Sequence, residues 1–188
     1  MLKRPIIFLF PVLLLMLVAC QSGEDKAPSD TQAQAPAIGL HEATFLGDAQ
    51  AVGAHIAAGT DLNAKDQYGS TALQVAATFG KTEVAKLLIE GGADLNIQNG
   101  EGSTPLHTAA FLCRQEIVQA LLAAGADTDI RNNYGATARE SVVGPFAEVK
   151  VAYDELSKAL GPLGLKLDYD YLQTTRPLIA EMILANGQ

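Results

Sequence analysis

The sequence predicts an all-α solenoid, a row of helix-turn-helix units stacked side by side, and two observations carry that expectation. Five sets of residues recur at a spacing of 33: Gly59, Gly92, Gly125; Gly69, Gly102, Gly135; Asp61, Asp94, Asp127; Thr71, Thr104, Thr137; and Ala43, Ala76, Ala109. Each period also holds two short segments with helical apolar spacing, separated by a glycine-type turn. At 188 residues, with 48% hydrophobic and 18% charged residues, the chain supports one globular unit or one short repeat array.

Each unit opens in the same way. Ser70 to Ala77 reads S-T-A-L-Q-V-A-A and Ser103 to Ala110 reads S-T-P-L-H-T-A-A. Thr71 and Thr104 supply an N-cap oxygen, Gln74 the third-position partner of a capping box, and Pro105 fits a first helical turn. Small residues at Ala76, Ala77, Ala109 and Ala110 let a neighbouring helix approach closely. Gly80, with Gly47 in the first unit, turns the chain into a second helix. That helix carries Val84, Ala85, Leu87, Leu88 and Ile89, or Ile117, Val118, Ala120, Leu121 and Leu122. Gly92 and Gly125 stand where such a helix ends in the left-handed conformation. The polar stretches up to the next glycine, such as Asn63 to Gly69 and Asn96 to Gly102, form projecting hairpin-like loops.

The predicted repeats are 38–69, 70–102, 103–135 and a degenerate 136–168. In the last, Thr137-Ala138-Arg139-Glu140 replaces the opening, and Gly144-Pro145 interrupts it. A helix then presents Val149, Ala152, Tyr153, Leu156 and Leu160 on one face and stops at Gly161-Pro162. Residues 169–188 are expected to cap the open end of the stack, with a last helix near Pro177 to Ala185. The alternative for this segment is a recognition element centred on Asp168-Tyr169-Asp170-Tyr171.

Thr104-Pro105-Leu106-His107 and the helix-ending Gly-Ala-Asp stretches resemble the ankyrin repeat, clearly over residues 38 to 135 and more faintly to 168. That resemblance implies a concave binding face built from hairpin tips and the exposed positions of each first helix. On this chain the tips are Gln67, Tyr68, Ser70; Gly100, Glu101, Ser103; and Asn133, Tyr134. The helix positions are Phe45, Leu46; Thr78, Phe79; and Phe111, Leu112, five of which are large and apolar. Lys65, Asp66, Asn99, Arg131 and Asn132 are expected to form a polar rim. The competing expectation is that part of this stripe packs under the tether or the C-terminal cap.

At the other end, 15 of the first 19 residues are apolar, after a positive start at Lys3 and Arg4. This pattern predicts a secretory signal over 1–19, its alternative being an uncleaved anchor. Leu17-Val18-Ala19-Cys20 resembles the lipobox of bacterial lipoproteins, which implies lipidation of Cys20 and cleavage before it. Gln21 in place of Asp favours the outer membrane, facing the periplasm. Residues 20–37 lack any large apolar side chain from Gln21 on and read as a flexible tether.

Chemistry is thinly provided for. The net charge of -8 becomes -10 once 1–19 is removed, which disfavours nucleic acid as a partner. The three histidines, His41, His55 and His107, show no metal-ligand spacing, and no metal, cofactor, catalytic residue or small-molecule substrate is expected. His107 is expected to bond backbone and order a neighbouring loop. Cys113 occupies the Gly80 column, as a tolerated substitution or a redox-sensitive thiol. The function expected is a lipid-anchored periplasmic module that binds another protein. Small ankyrin lipoproteins resemble an immunity factor against a secreted toxic enzyme, or a support for peroxide resistance alongside a catalase. A small envelope hydrolase is the remote alternative.

Overall fold

The computed structural model describes residues 35–186. The predicted signal, Cys20 and the tether up to residue 34 lie outside the described residues. The helices come in pairs: α1 (Leu40–Leu46) with α2 (Ala49–Ala57), α3 (Ala72–Phe79) with α4 (Thr82–Glu90), and α5 (Pro105–Phe111) with α6 (Gln115–Ala123). Helices α1, α3 and α5 pack side by side as an inner row, and α2, α4 and α6 as an outer row. No strand occurs among the described residues; each long loop closes in a tight turn instead.

The starts follow from the capping residues. The Thr71 hydroxyl accepts the Gln74 N–H while the Gln74 side chain accepts the Thr71 N–H at 2.8 Å. Thr104 and His107 repeat this box. So do Thr137 and Glu140, with the Thr137 N–H donating to the Glu140 carboxylate at 2.9 Å. The fourth unit therefore keeps the cap although its sequence lost the Thr-Pro-Leu-His opening. Caps of this kind contribute roughly 1 kcal/mol each.

The same third-position side chain then joins one unit to the next. His41 Nε2 donates to the Ser70 carbonyl at 3.1 Å, Gln74 Nε2 to Ser103 at 2.7 Å, and His107 Nε2 to Ala136 at 3.0 Å. A second ladder runs between loops, where the Asn63 side chain accepts the Asp94 N–H and the Asn96 side chain the Asp127 N–H. Between the rows, Ala72, Ala76, Ala77, Ala109 and Ala110 are wholly buried, so the inner helices meet at short range. Leu73, Leu88, Leu106, Ile117 and Leu121 fill the space behind them. Each such side chain contributes about 1.5–3 kcal/mol by leaving water.

His55, where other units have Leu88 and Leu121, is buried by spending both ring nitrogens, one on the Ile38 carbonyl at 2.8 Å and one on Thr60 Oγ1 at 3.1 Å. Gly47 and Gly80 end their inner helices in the left-handed region, and Cys113 takes that conformation at φ +52°. It is the single non-glycine residue there among the described residues. Its buried Sγ faces the Leu172 carbonyl at 3.8 Å, and burial pushes its thiol up to about 11. A thiol held protonated is a poor nucleophile near neutrality.

The C-terminal organisation departs from the expected division at 168/169. Helix α7 (Glu140–Val143) extends the inner row against α5, but the helix that completes the outer row is α9 (Tyr169–Asn186), packed on α6 and α7. Helix α8 (Phe146–Leu160) and a 3₁₀ turn at Gly161–Leu163 are inserted between the two halves of this fourth pair. The reason lies in the apolar stripes. On α9, Leu172, Thr175, Arg176, Ile179, Ala180 and Ile183 are buried at outer-helix spacing, whereas α8 buries Tyr153 alone. Helix α9 also begins eight residues before Pro177, which lies inside it on the exposed side. Asp168 caps its start, accepting the Tyr171 N–H at 3.0 Å.

Candidate protein-binding surface

The predicted tips project as one turn per unit. In each, an Asx side chain ties the turn: Asp66 accepts from the Tyr68 and Ser70 N–H groups, Asn99 from Glu101 and Ser103, and Asn132 from Tyr134 and Ala136. Three of the five expected rim residues, Asp66, Asn99 and Asn132, are therefore committed to shaping the loops. The signal was present in the sequence as Asp or Asn three residues before each glycine of the Gly69 column. Neighbouring tips touch: the Asn133 N–H donates to the Glu101 carbonyl at 3.0 Å and its side chain to Gly100 at 3.2 Å. This contact needs Gly102, where φ is +71° and a Cβ would collide with Asn133.

What the tips leave outward is aromatic. Tyr68 is 73% and Tyr134 78% exposed, with Gln67, Gly100, Glu101 and Asn133 also exposed. Ser70 is half-buried. Ser103 is buried, contrary to its expected place on the surface, because its carbonyl accepts Gln74 Nε2 and its N–H is held by Asn99. Of the other rim residues, Lys65 donates to the Gln98 carbonyl at 2.8 Å, and Arg131 pairs with Glu140. The Thr137 N–H, and after it the Arg131 pairing, hold the Glu140 carboxyl below its ordinary value.

The helix positions divide by unit. Leu46 is 59% exposed, beside Phe45, which meets Phe79 edge to face at 4.8 Å between ring centroids. Phe45, Thr78 and Phe79 are half-buried, and the Thr78 hydroxyl is spent on the Gln74 carbonyl at 2.9 Å. The third unit departs from expectation. Tyr153 of α8 stacks on Phe111 at 4.3 Å, and its hydroxyl donates to the Phe111 carbonyl at 2.6 Å. The Tyr171 hydroxyl donates to Cys113 at 3.1 Å. Leu112, between these two covered neighbours, is only 3% exposed and is not part of an open face.

The C-terminal segment thus occupies one end of the predicted stripe and leaves the other open. Its Asp168-Tyr169-Asp170-Tyr171 text is largely engaged within the chain: Asp168 caps α9, and the hydroxyls of Tyr169 and Tyr171 are hydrogen-bonded to Asp154 and Cys113. Beneath α8, Arg176 is 2% exposed. Its guanidinium donates to the Tyr153 hydroxyl at 2.9 Å and to the Ser141 and Gly144 carbonyls at 3.2 and 3.3 Å. Burial pushes the Tyr153 phenol up to about 12, so it stays neutral.

Among the described residues no three His, Cys, Asp or Glu side chains gather as a metal site. A polar hollow of about 280 Å³ beside Cys113, Arg114 and Tyr171 falls below the usual span of ligand pockets. No described helix is long and apolar enough to cross a membrane.

No curated protein sequence matches the chain. Residues 40–132 match the family model described as ankyrin repeats, three copies. The match ends within the loop after α6, consistent with the split of the fourth pair by α8. With the helix pairs, the linked tips and the repeated capping box in view, this stretch of the chain is an array of ankyrin repeats, a protein–protein interaction module.

Proposed function

We propose that the chain is a lipid-anchored module of the bacterial cell envelope that grips another protein with the N-terminal share of its concave face. The supporting observation is the distribution of cover. Leu46 and the Tyr68 tip are exposed, with the Phe45–Phe79 pair half-buried next to Leu46, whereas in the third unit Leu112 is buried and the half-buried Phe111 lies stacked against Tyr153. Open aromatic and aliphatic side chains flanked by polar groups are where binding free energy concentrates. The anchor rests on Leu17-Val18-Ala19-Cys20 and the apolar run before it. An acidic module held there is placed to meet an enzyme acting at the membrane, so the role we favour is an immunity factor against a secreted toxic enzyme.

Crosslinked capture from envelope extract should lose its partner by tenfold or more in a Leu46→Glu, Tyr68→Ala variant whose melting temperature is unchanged. Equal recovery by wild type and variant would discard the open face as the binding site. Cys20→Ser should release the protein from membranes and abolish incorporation of labelled fatty acid. Co-expression with a secreted toxic enzyme recovered as its partner should restore growth only when the protein is exported, and absence of rescue counts against the immunity role.

A further inference from the structure

Helix α8 is held mainly by aromatic contacts at its N-terminal half: Tyr153 on Phe111, Phe146 edge to face with Tyr169 at 6.2 Å, Lys150 over the Tyr169 ring at 5.1 Å and Arg176 over the Tyr153 ring at 5.9 Å. Of its fifteen residues only Tyr153 is fully buried, with Phe146, Val149 and Leu156 half-buried beside it. Its ion pairs, Lys150 with Asp154 and Lys158 with Glu155, lie within the helix. Side-chain hydrogen bonds leave it at two points. One is the Tyr153 hydroxyl, between the Phe111 carbonyl and Arg176; the other is Asp154, which accepts from Tyr169 at 2.9 Å. Both ends are bracketed by turn residues, Gly144-Pro145 before it and Gly161-Pro162-Leu163-Gly164 after it, with Gly164 at φ +97°.

What lies beneath also has contacts that do not involve α8. Arg176 still holds the Ser141 and Gly144 carbonyls through Nη2, and α9 still packs on α6 and α7. Closed, α8 keeps a cation from water with no carboxylate paired to it among the described residues. Opening returns that cation to water and bares the Phe111 ring, so the main electrostatic cost of the closed state is relieved as the aromatic stack is lost.

We propose that α8 is a hinged lid over the third unit's share of the concave face, latched by Tyr153, that opens as a unit while the helix pairs stay folded. The lid turns one continuous stripe into a short open segment and a covered one, so partner access to Phe111 is gated by the chain itself. This holds whatever the open face binds.

Native-state hydrogen exchange of the full chain, read helix by helix, tests the lid. Amides of α8 should exchange about tenfold or more faster than the slowest amides of α5 and α6, with little dependence on low urea. Tyr153→Phe keeps the ring stack but loses the hydroxyl, and should speed α8 exchange about another tenfold with α3 to α6 unchanged. The lid is overturned if α8 in the wild type is as protected and as urea-sensitive as α5 and α6, or if Tyr153→Phe accelerates all helices alike. Should that variant fail to fold, the wild-type comparison decides alone.

Discussion

At the scale of single residues, His107 shows how a side chain can serve cap and ladder together. Its Nδ1 faces the Thr104 hydroxyl and N–H, and its Nε2 donates to Ala136, an arrangement that suits the neutral ring. Burial lowers its proton affinity, against a smaller raising effect of the Ala136 carbonyl. The unfolded chain therefore binds a proton near pH 6.5 that the folded chain refuses. Stability from this site is complete above about pH 6.5 and declines as pH falls toward the depressed folded value. Gln74 does the same work without titrating. His107→Gln should thus stay within about 1 kcal/mol of wild type at pH 7 and lose less stability between pH 7 and 5, in parallel melting curves. A steeper acid loss in the variant would refute this assignment. Cys113 is a different lesson: its glycine column was legible, but that the side chain would be sealed under Leu172 required the partner helix.

At the scale of elements, capping residues and apolar stripes located α1 to α6 closely, because α2, α3 and α5 begin at a side-chain acceptor and each of the six is followed within two residues by a left-handed residue. The last helix did not yield to the same reading. The sequence predicts a helix starting near Pro177, yet α9 runs through Pro177 because buried Leu172, Thr175 and Arg176 precede it and Ile179 and Ile183 follow. A mid-helix proline costs about 3 kcal/mol, and the burial of Leu172 with its neighbours on the N-terminal turns offsets it. Pro177→Ala should therefore raise the unfolding free energy by about 1 kcal/mol or more in urea titration; a fall would mean the kink itself is needed. On α8, the predicted stripe holds at Val149, Tyr153, Leu156 and Leu160 and is extended by Phe146, while Ala152 falls outside it and is exposed. Tyr153 also lies against Phe146 at 5.6 Å, a contact periodicity cannot reveal.

At the scale of the whole described unit, α9 is the piece that closes the stack. It buries Leu172, Ile179 and Ile183, together worth about 5 kcal/mol or more, which matches the lower end of a small domain's entire stability. Ending the chain after Gly144 should abolish the cooperative thermal transition, while replacing 145–167 with a short glycine-rich linker should retain it, as calorimetry of the two would show. Survival of the truncated form would mean that three helix pairs suffice. The order of helices, their caps, the linked loops and the aromatic stripe were written in the sequence, because each depends on contacts at fixed short offsets repeated every 33 residues. Which helix completes the fourth pair, and that Phe111 and Leu112 are covered while Leu46 is open, depended on contacts such as Tyr153 with Phe111 and Cys113 with Leu172, 42 and 59 residues apart. Such contacts carry no period, so only the packed fold chooses among the apolar faces competing to make them.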